Sequence, residues 1–220
     1  MILIPVKDLR NAKQRLSSAL DDGERTALAK AMLQDVLDAV AAMAERPPVS
    51  LVSSDPHARL LAERHGFGVI EDPENAGESA AIEMATRVCV QRGAKWTLVI
   101  PGDAPLVTAK EIETVLRASP DAGSVLTPDA KGRGSNAVLR RPADLFPLRF
   151  GNDSFTPHVQ AARATGKTCV VLDLPGIALD VDDPADLAAL SQTEGRTRSQ
   201  RLLAEWGIAR RLQSLAAGKL

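Results

Sequence analysis

The feature that most restricts this chain is an alternation. Short apolar runs rich in β-branched residues, at 2–6, 49–53, 69–70, 96–100, 124–127, 137–139 and 169–172, are separated by stretches of helical spacing. Side chains of a strand point alternately to two faces, so a strand reads as a continuous apolar run only when both faces are covered. The intervening helices must supply that cover. The pattern therefore predicts an α/β fold, a mostly parallel sheet with helices on both faces. A chain of 220 residues with 45% hydrophobic content can bury one substantial core, and no break in composition divides it.

The longest helix is expected over 22–44, where Leu28, Met32, Val36, Leu37 and Val40 fall at helical spacing and Pro47-Pro48 ends the pattern. Asp55 before Pro56, Thr108 with Glu111 three residues on, and Asp183 before Pro184 read as helix N-caps. After residue 190 the periodicity lapses. The expected organisation is one domain over 1–190, then over 191–220 a polar linker and a C-terminal amphipathic helix carrying Leu202, Leu203, Trp206, Ile208, Leu212 and Leu215. That apolar stripe packs on the domain or makes a homodimer.

A formal net charge of -1 gives no long-range attraction to nucleic acid or to an anionic membrane. No run approaches membrane-spanning length, and the apolar start at 1–6 is too short for a signal peptide. Cys89 and Cys169 lie in apolar runs without metal-type spacing and read as reduced, buried thiols. Together these place the protein in the cytoplasm.

Two motif-like stretches fail on context. Gly166-Lys167-Thr168 imitates the end of a phosphate-binding loop, but Ala161 stands where that motif needs glycine, and the segment precedes a strand instead of opening a helix. It reads as a helix-ending glycine. Gly132-Arg133-Gly134 imitates a dinucleotide fingerprint but leads into a strand. His57, His65 and His158 are scattered and form no legible catalytic or metal-binding set, so each reads as a surface or polar-contact residue.

Three segments carry chemistry. Pro5-Val6-Lys7, leading to Lys13-Gln14-Arg15, follows the first strand, so Lys7, Lys13 and Arg15 project where open α/β sheets bind ligands and can neutralise a triphosphate. Without a ligand the same segment is a solvated basic turn. Pro101-Gly102-Asp103-Ala104-Pro105 follows the most apolar strand, where a carboxylate can hold magnesium and bridge it to phosphate, or simply form a turn. In Asp180-Val181-Asp182-Asp183-Pro184, an extended backbone turns Asp180 and Asp182 to one side while Asp183 caps the helix. Two carboxylates facing one way call for a cation or for open solvent. Jointly, a basic loop and carboxylates from two strand ends suggest metal-assisted attack on an α-phosphorus with pyrophosphate leaving. Lys7, Lys13, Arg15 and Asp103 form the expected catalytic set, and no His or Cys catalyst is required because an acceptor phosphate is already ionised.

At these residues the chain resembles the 2-phospho-L-lactate guanylyltransferase family, which makes the GDP-linked precursor of the deazaflavin coenzyme. The resemblance spans about 2–190. It rests on Pro5-Val6-Lys7, Ala12-Lys13-Gln14-Arg15-Leu16, Met32-Leu33-Gln34-Asp35-Val36-Leu37, Gly102-Asp103-Ala104-Pro105-Leu106, Gly134-Ser135-Asn136-Ala137, Phe150-Gly151-Asn152-Asp153-Ser154-Phe155 and Asp180-Val181-Asp182.

The resemblance implies a Rossmann-like fold of the GT-A/nucleotidyltransferase type and magnesium held by Asp103, Asp180 and Asp182. It implies a nucleotide site that includes Glu78, Ser79 and Gly102 with the three basic residues, and an acceptor pocket at Ser135, Gly151 and Ser154. The implied partners are GTP and a phosphorylated three-carbon acid: 2-phospho-L-lactate, phosphoenolpyruvate or 3-phospho-D-glycerate. The chain departs from the family at Ser135, at Glu78-Ser79 and at Asn152-Asp153. The polar groups at Glu78, Ser79 and Asp153 favour 3-phospho-D-glycerate, the acid with an extra hydroxyl. The competing readings are a cytidylyl- or sugar-nucleotidyltransferase and a non-catalytic nucleotide-binding regulatory module.

Overall fold

The structure, a computed structural model, describes residues 1–151 and 153–217, and the side chains of 1–151 and 153–214. Asn152 and the Leu215 side chain lie outside the described residues. Each apolar run became a strand. In chain order the elements are β1 (Ile2–Pro5), α1 (Asp22–Ala41), β2 (Val49–Val52), α2 (Pro56–His65), β3 (Gly68–Ile70), α3 (Glu78–Gln91), β4 (Thr97–Val99) and α4 (Ala109–Arg117). There follow β5 (Gly123–Pro128), β6 (Ser135–Arg141), α5 (Phe155–Ala164), β7 (Thr168–Val171), α6 (Pro175–Ala178), α7 (Pro184–Gln192), α8 (Arg198–Glu205) and α9 (Ile208–Ala217).

The strands form one 7-stranded sheet in the order β3-β2-β1-β4-β6-β5-β7. All neighbours are parallel except β6, which runs antiparallel to both β4 and β5. The reversal of β6 sets up the site, because its amino end lies beside the carboxyl ends of its neighbours.

Both faces of the sheet are covered, as the continuous apolar runs require. Ile2, Ile4, Leu98, Ile100, Val125 and Leu139 pack on one face with residues of α1, α2 and α4. The alternate residues Leu3, Val99, Leu126 and Val138 pack on the other with residues of α3 and α5. Between β5 and β7 the backbones approach so closely that a Cβ at Gly123 (φ +149°) would lie 2.1 Å from the Thr168 carbonyl oxygen. Glycine is required there on both counts.

The expected helix starts are capped. Asp55 accepts from the N–H groups of His57 and Ala58, and Thr108 and Asp183 each form a reciprocal capping box with Glu111 and Asp186. Gly166 ends α5 in the left-handed conformation (φ 69°), as the context of Gly166-Lys167-Thr168 required.

The C-terminal region differs from a single appended helix. It forms two helices, α8 and α9, broken at Gly207 (φ 63°). Leu203 and Ile208 are buried in a third cluster with Leu28 and Met32 of α1 and Leu187 and Leu190 of α7, and Trp206 packs against it. The Asp35 carboxylate binds the start of α8, accepting from the N–H of Arg198 (2.7 Å) and of Ser199 (2.9 Å). Of that stripe, Leu203, Trp206, Ile208 and Leu212 pack within the chain, and α1 is buried on two sides. Cys89 is buried, whereas Cys169 is only half-buried on β7. Among the described residues, no helix is long and apolar enough to cross a membrane.

Candidate active site

A cleft of about 730 Å³ opens where β1 and β4 end and β6 begins. Its wall includes Lys7, Lys13, Arg15, Glu78, Gly102, Asp103, Ser135, Gly151, Ser154, Asp180 and Asp182. All but one of the residues expected in the site converge there. The exception is Ser79, which does not line the cleft. Its hydroxyl accepts from the Phe150 N–H at 2.8 Å and lies 3.3 Å from the Phe150 carbonyl, so it props the loop before Gly151. One helical step, about 100°, separates it from the cleft-facing Glu78.

The loop after β1 is fixed from below. Asp55, besides capping α2, accepts from the Leu9 N–H at 3.0 Å. Lys13 sits in the left-handed region (φ 57°), which costs a non-glycine residue about 1 kcal/mol. Among the described residues the non-glycine positions with positive φ are Lys13, Asn75 and Asp153, and all line the cleft. Their backbone strain is concentrated at this site.

That conformation drives the Lys13 side chain inward, where it is 8% exposed. Its ammonium donates to Asp103 and, at 2.9 Å, to Asp182. Burial alone would lower its pKa, but the Asp103 and Asp182 carboxylates outweigh burial and hold it above the usual lysine value. Asp182 is the mirror case: burial pushes it up, while Lys13 and then Arg15 bring it below the ordinary carboxylate range. Lys7 and Arg15 remain mostly exposed, 3.6 Å from Glu78 and 4.0 Å from Asp182 respectively, free to turn toward a ligand.

Among the described residues Asp180 has no such cationic partner. Burial, with the nearby Asp103 charge next, pushes its carboxyl up to about 6, against the hydrogen bond it accepts from Asn136 Nδ2 at 3.0 Å. Burial likewise raises Glu78, opposed by Lys7 and reinforced by Asp103. Val181 is fully buried between the two half-buried aspartates, and its N–H donates to the Asp103 carbonyl at 3.2 Å.

The carboxylates thus share one neighbourhood but do not form a ready-made cage. Among the described residues no group of three or more His, Cys, Asp or Glu side chains could hold a metal as it stands. The Lys13 ammonium sits between Asp103 and Asp182. The donor set nevertheless suits magnesium: hard carboxylate oxygens, one of them repelled by its neighbours. This ion is commonly held by one or two carboxylates, its own waters and substrate phosphate, with no dedicated cage.

Ser135 and Ser154, which also line the cleft, are both buried, and the Ser135 N–H donates to Ser154 Oγ at 3.1 Å. Gly151 (φ 140°) opens the backbone beside them.

Sequence reasoning missed several groups. Lys131, just before Gly132-Arg133-Gly134, binds Asp183 and Asp186, each at 2.8 Å, and lines the cleft. The loop that holds both is wound on Asp129, which accepts from the N–H groups of Lys131, Arg133 and Gly134. Asn136 also donates to the Ile177 and Ala178 carbonyls, both at 3.0 Å. A polar residue opening an apolar strand was its one signal. His158 is 1% exposed, behind Ser135.

Comparison with known proteins agrees with this arrangement. The family model described as "Guanylyl transferase CofC like" matches residues 1–220. The chain belongs to the CofC-like guanylyl transferase family. It is 35% identical over 189 residues to a phosphoenolpyruvate guanylyltransferase of Sphaerobacter thermophilus, covering 86% of this chain and 91% of that one. It is 33% identical over 188 residues to a 2-phospho-L-lactate guanylyltransferase of Methanothermobacter thermautotrophicus, covering 86% and 82%. The protein is accordingly a guanylyltransferase. A solved structure of a putative nucleotide-diphospho-sugar transferase from Desulfovibrio desulfuricans superposes with a TM-score of 0.78 at 18% identity over 96% of each chain, which establishes the shared nucleotidyltransferase fold. Membership in the CofC-like family matches the resemblance carried by the β1 loop, the Asp103 turn and the 180–182 segment.

Proposed function

We propose that this guanylyltransferase moves GMP from GTP onto the phosphate of a three-carbon phospho-acid and releases pyrophosphate. The observation that carries the reading is the one cleft whose lining combines Lys7, Lys13 and Arg15 with Asp103, Asp180 and Asp182 and with Ser135 and Ser154. An oxygen of the acceptor phosphate attacks the α-phosphorus. A new P–O bond forms, the bond from the α-phosphorus to the α,β-bridging oxygen breaks, and its electron pair leaves with pyrophosphate.

Lys7 and Arg15, exposed at the rim, bind and neutralise the triphosphate. Lys13 holds Asp103 and Asp182 in place and adds positive charge at the reacting end. The two serine hydroxyls and the open backbone at Gly151 orient the acceptor. The acceptor oxygen is ionised at neutral pH, so alignment and charge neutralisation supply the catalysis without a protein base. Magnesium, held by Asp103, Asp180 and Asp182, would supply further neutralisation of phosphate charge.

Relatives named for phosphoenolpyruvate and for 2-phospho-L-lactate support a three-carbon acceptor. Of the polar groups that favoured 3-phospho-D-glycerate, Ser79 is engaged by Phe150 and Glu78 lies beside Lys7, so that preference now rests on Asp153. The test is pyrophosphate release with GTP, CTP, UTP and ATP, each against the three acids, with and without magnesium. Release with GTP and one of these acids is the expected result. A preference for CTP or UTP, or no release with any pair, contradicts the reading.

A further inference from the structure

We infer that His158 is a positioning residue that fixes the Ser135 hydroxyl as a hydrogen-bond donor into the acceptor pocket. The inference rests on the acceptor site proposed above and adds to it a group outside the cleft wall.

The geometry leaves one arrangement of protons. The Arg149 backbone N–H, which can only donate, points at His158 Nε2 at 2.9 Å, so Nε2 carries a lone pair. In a neutral imidazole the proton must then sit on Nδ1, which lies 2.9 Å from Ser135 Oγ. Nδ1–H donates, Oγ accepts, and the Ser135 hydroxyl hydrogen has to turn elsewhere.

No protein acceptor takes that hydrogen among the described residues, and Ser135 lines the cleft, so the donor is available to an anionic oxygen of the acceptor. Ser154 is set the same way, because its Oγ accepts from the Ser135 N–H and keeps its own hydrogen free. The imidazole is held neutral by its surroundings. Burial, then Arg140, pushes its pKa down to about 4, and Phe146 and Phe150 flank the ring, the latter edge-on at 5.4 Å. A protonated ring would present an N–H to the Arg149 N–H. His158 therefore couples the 149–151 loop to Ser135, and so joins two parts of the acceptor pocket.

The test has two arms. In the first, nitrogen-15 NMR of the histidine rings in the wild-type protein should show His158 as the neutral Nδ1–H form at pH 7. An Nε2–H form would overturn the inference whatever reaction the enzyme performs. In the second, H158Q, whose amide reaches the Nε2 position but not Ser135, should raise the KM for the phospho-acid roughly ten- to a hundredfold, as expected for one hydrogen bond to a charged group. The KM for GTP should stay as in wild type. H158N, which restores an N–H near Nδ1, should recover most of the loss.

In an S135A background H158Q should add less than about twofold, because removing a shared contact makes the effects non-additive. An unchanged acceptor KM in H158Q, a parallel rise in the KM for GTP, or full additivity with S135A would each overturn the inference while leaving guanylyl transfer intact. Wild-type enzyme that turned over no phospho-acid would instead remove the acceptor site itself, and the role of His158 with it.

Discussion

Lys13 and Asp182, 169 residues apart in the chain, meet through a 2.9 Å hydrogen bond at the centre of the cleft. The lysine also binds Asp103, so one buried ammonium ties the loop after β1 to the carboxylates that follow β4 and precede α7.

Removing that ammonium leaves two partly buried carboxylates uncompensated. Lys13→Ala should lose about 1–2 kcal/mol of unfolding free energy, less than deleting one member of a fully buried pair because solvent screens the half-exposed carboxylates, and should raise the KM for GTP more than that for the acceptor. Urea unfolding together with initial rates at varied GTP checks both. Wild-type stability and an unchanged GTP dependence would separate Lys13 from the site.

The fold opposes the charge on Asp180, since burial and Asp103 both disfavour its ionisation. Replacing it with Asn keeps the shape and removes the repulsion. Asp180→Asn should melt at a higher temperature than wild type in metal-free buffer while turning over GTP more slowly, a trade of function against stability. A lower melting temperature would show that Asp180 is structurally required.

His158 gives stability a defined pH dependence. Its pKa is depressed from 6.5 to about 4 in the folded protein, so the unfolded chain binds more protons between those values. Its contribution is complete above about pH 6.5 and is lost as pH falls toward 4, on the order of 3 kcal/mol over the window. Urea unfolding of wild type and H158N at pH 7, 5.5 and 4.5 isolates this group. The wild-type curve should fall more steeply, and parallel curves would contradict the assignment.

The strands, the caps at Asp55, Thr108 and Asp183, and the meeting of Lys7, Lys13, Arg15 with three distant aspartates were legible because each follows from local pattern and from where α/β sheets bind ligands. What escaped depends on direction and partner. Nothing in the run at 137–139 reveals that β6 runs backward, yet that reversal carries Ser135 and Asn136 to the cleft. Ser79 stands off the cleft wall because one step along α3 turns its hydroxyl toward Phe150. Lys131 and His158 carry no local mark, since their roles come from α7 and β6 packing beside them. The C-terminal stripe was visible, but the break at Gly207 and the burial of Ile208 against α1 are properties of the assembled core.

The most direct measurement is the rate of pyrophosphate release from GTP and a three-carbon phospho-acid, in magnesium, for wild type and Asp103→Asn. Loss of the charge at the centre of the carboxylate group should slow turnover on the order of a hundredfold or more, comparable to removing a principal charge-stabilising group. Near-wild-type turnover by Asp103→Asn would contradict the account, because the chemistry would then not run through the cleft between Lys13 and the three aspartates.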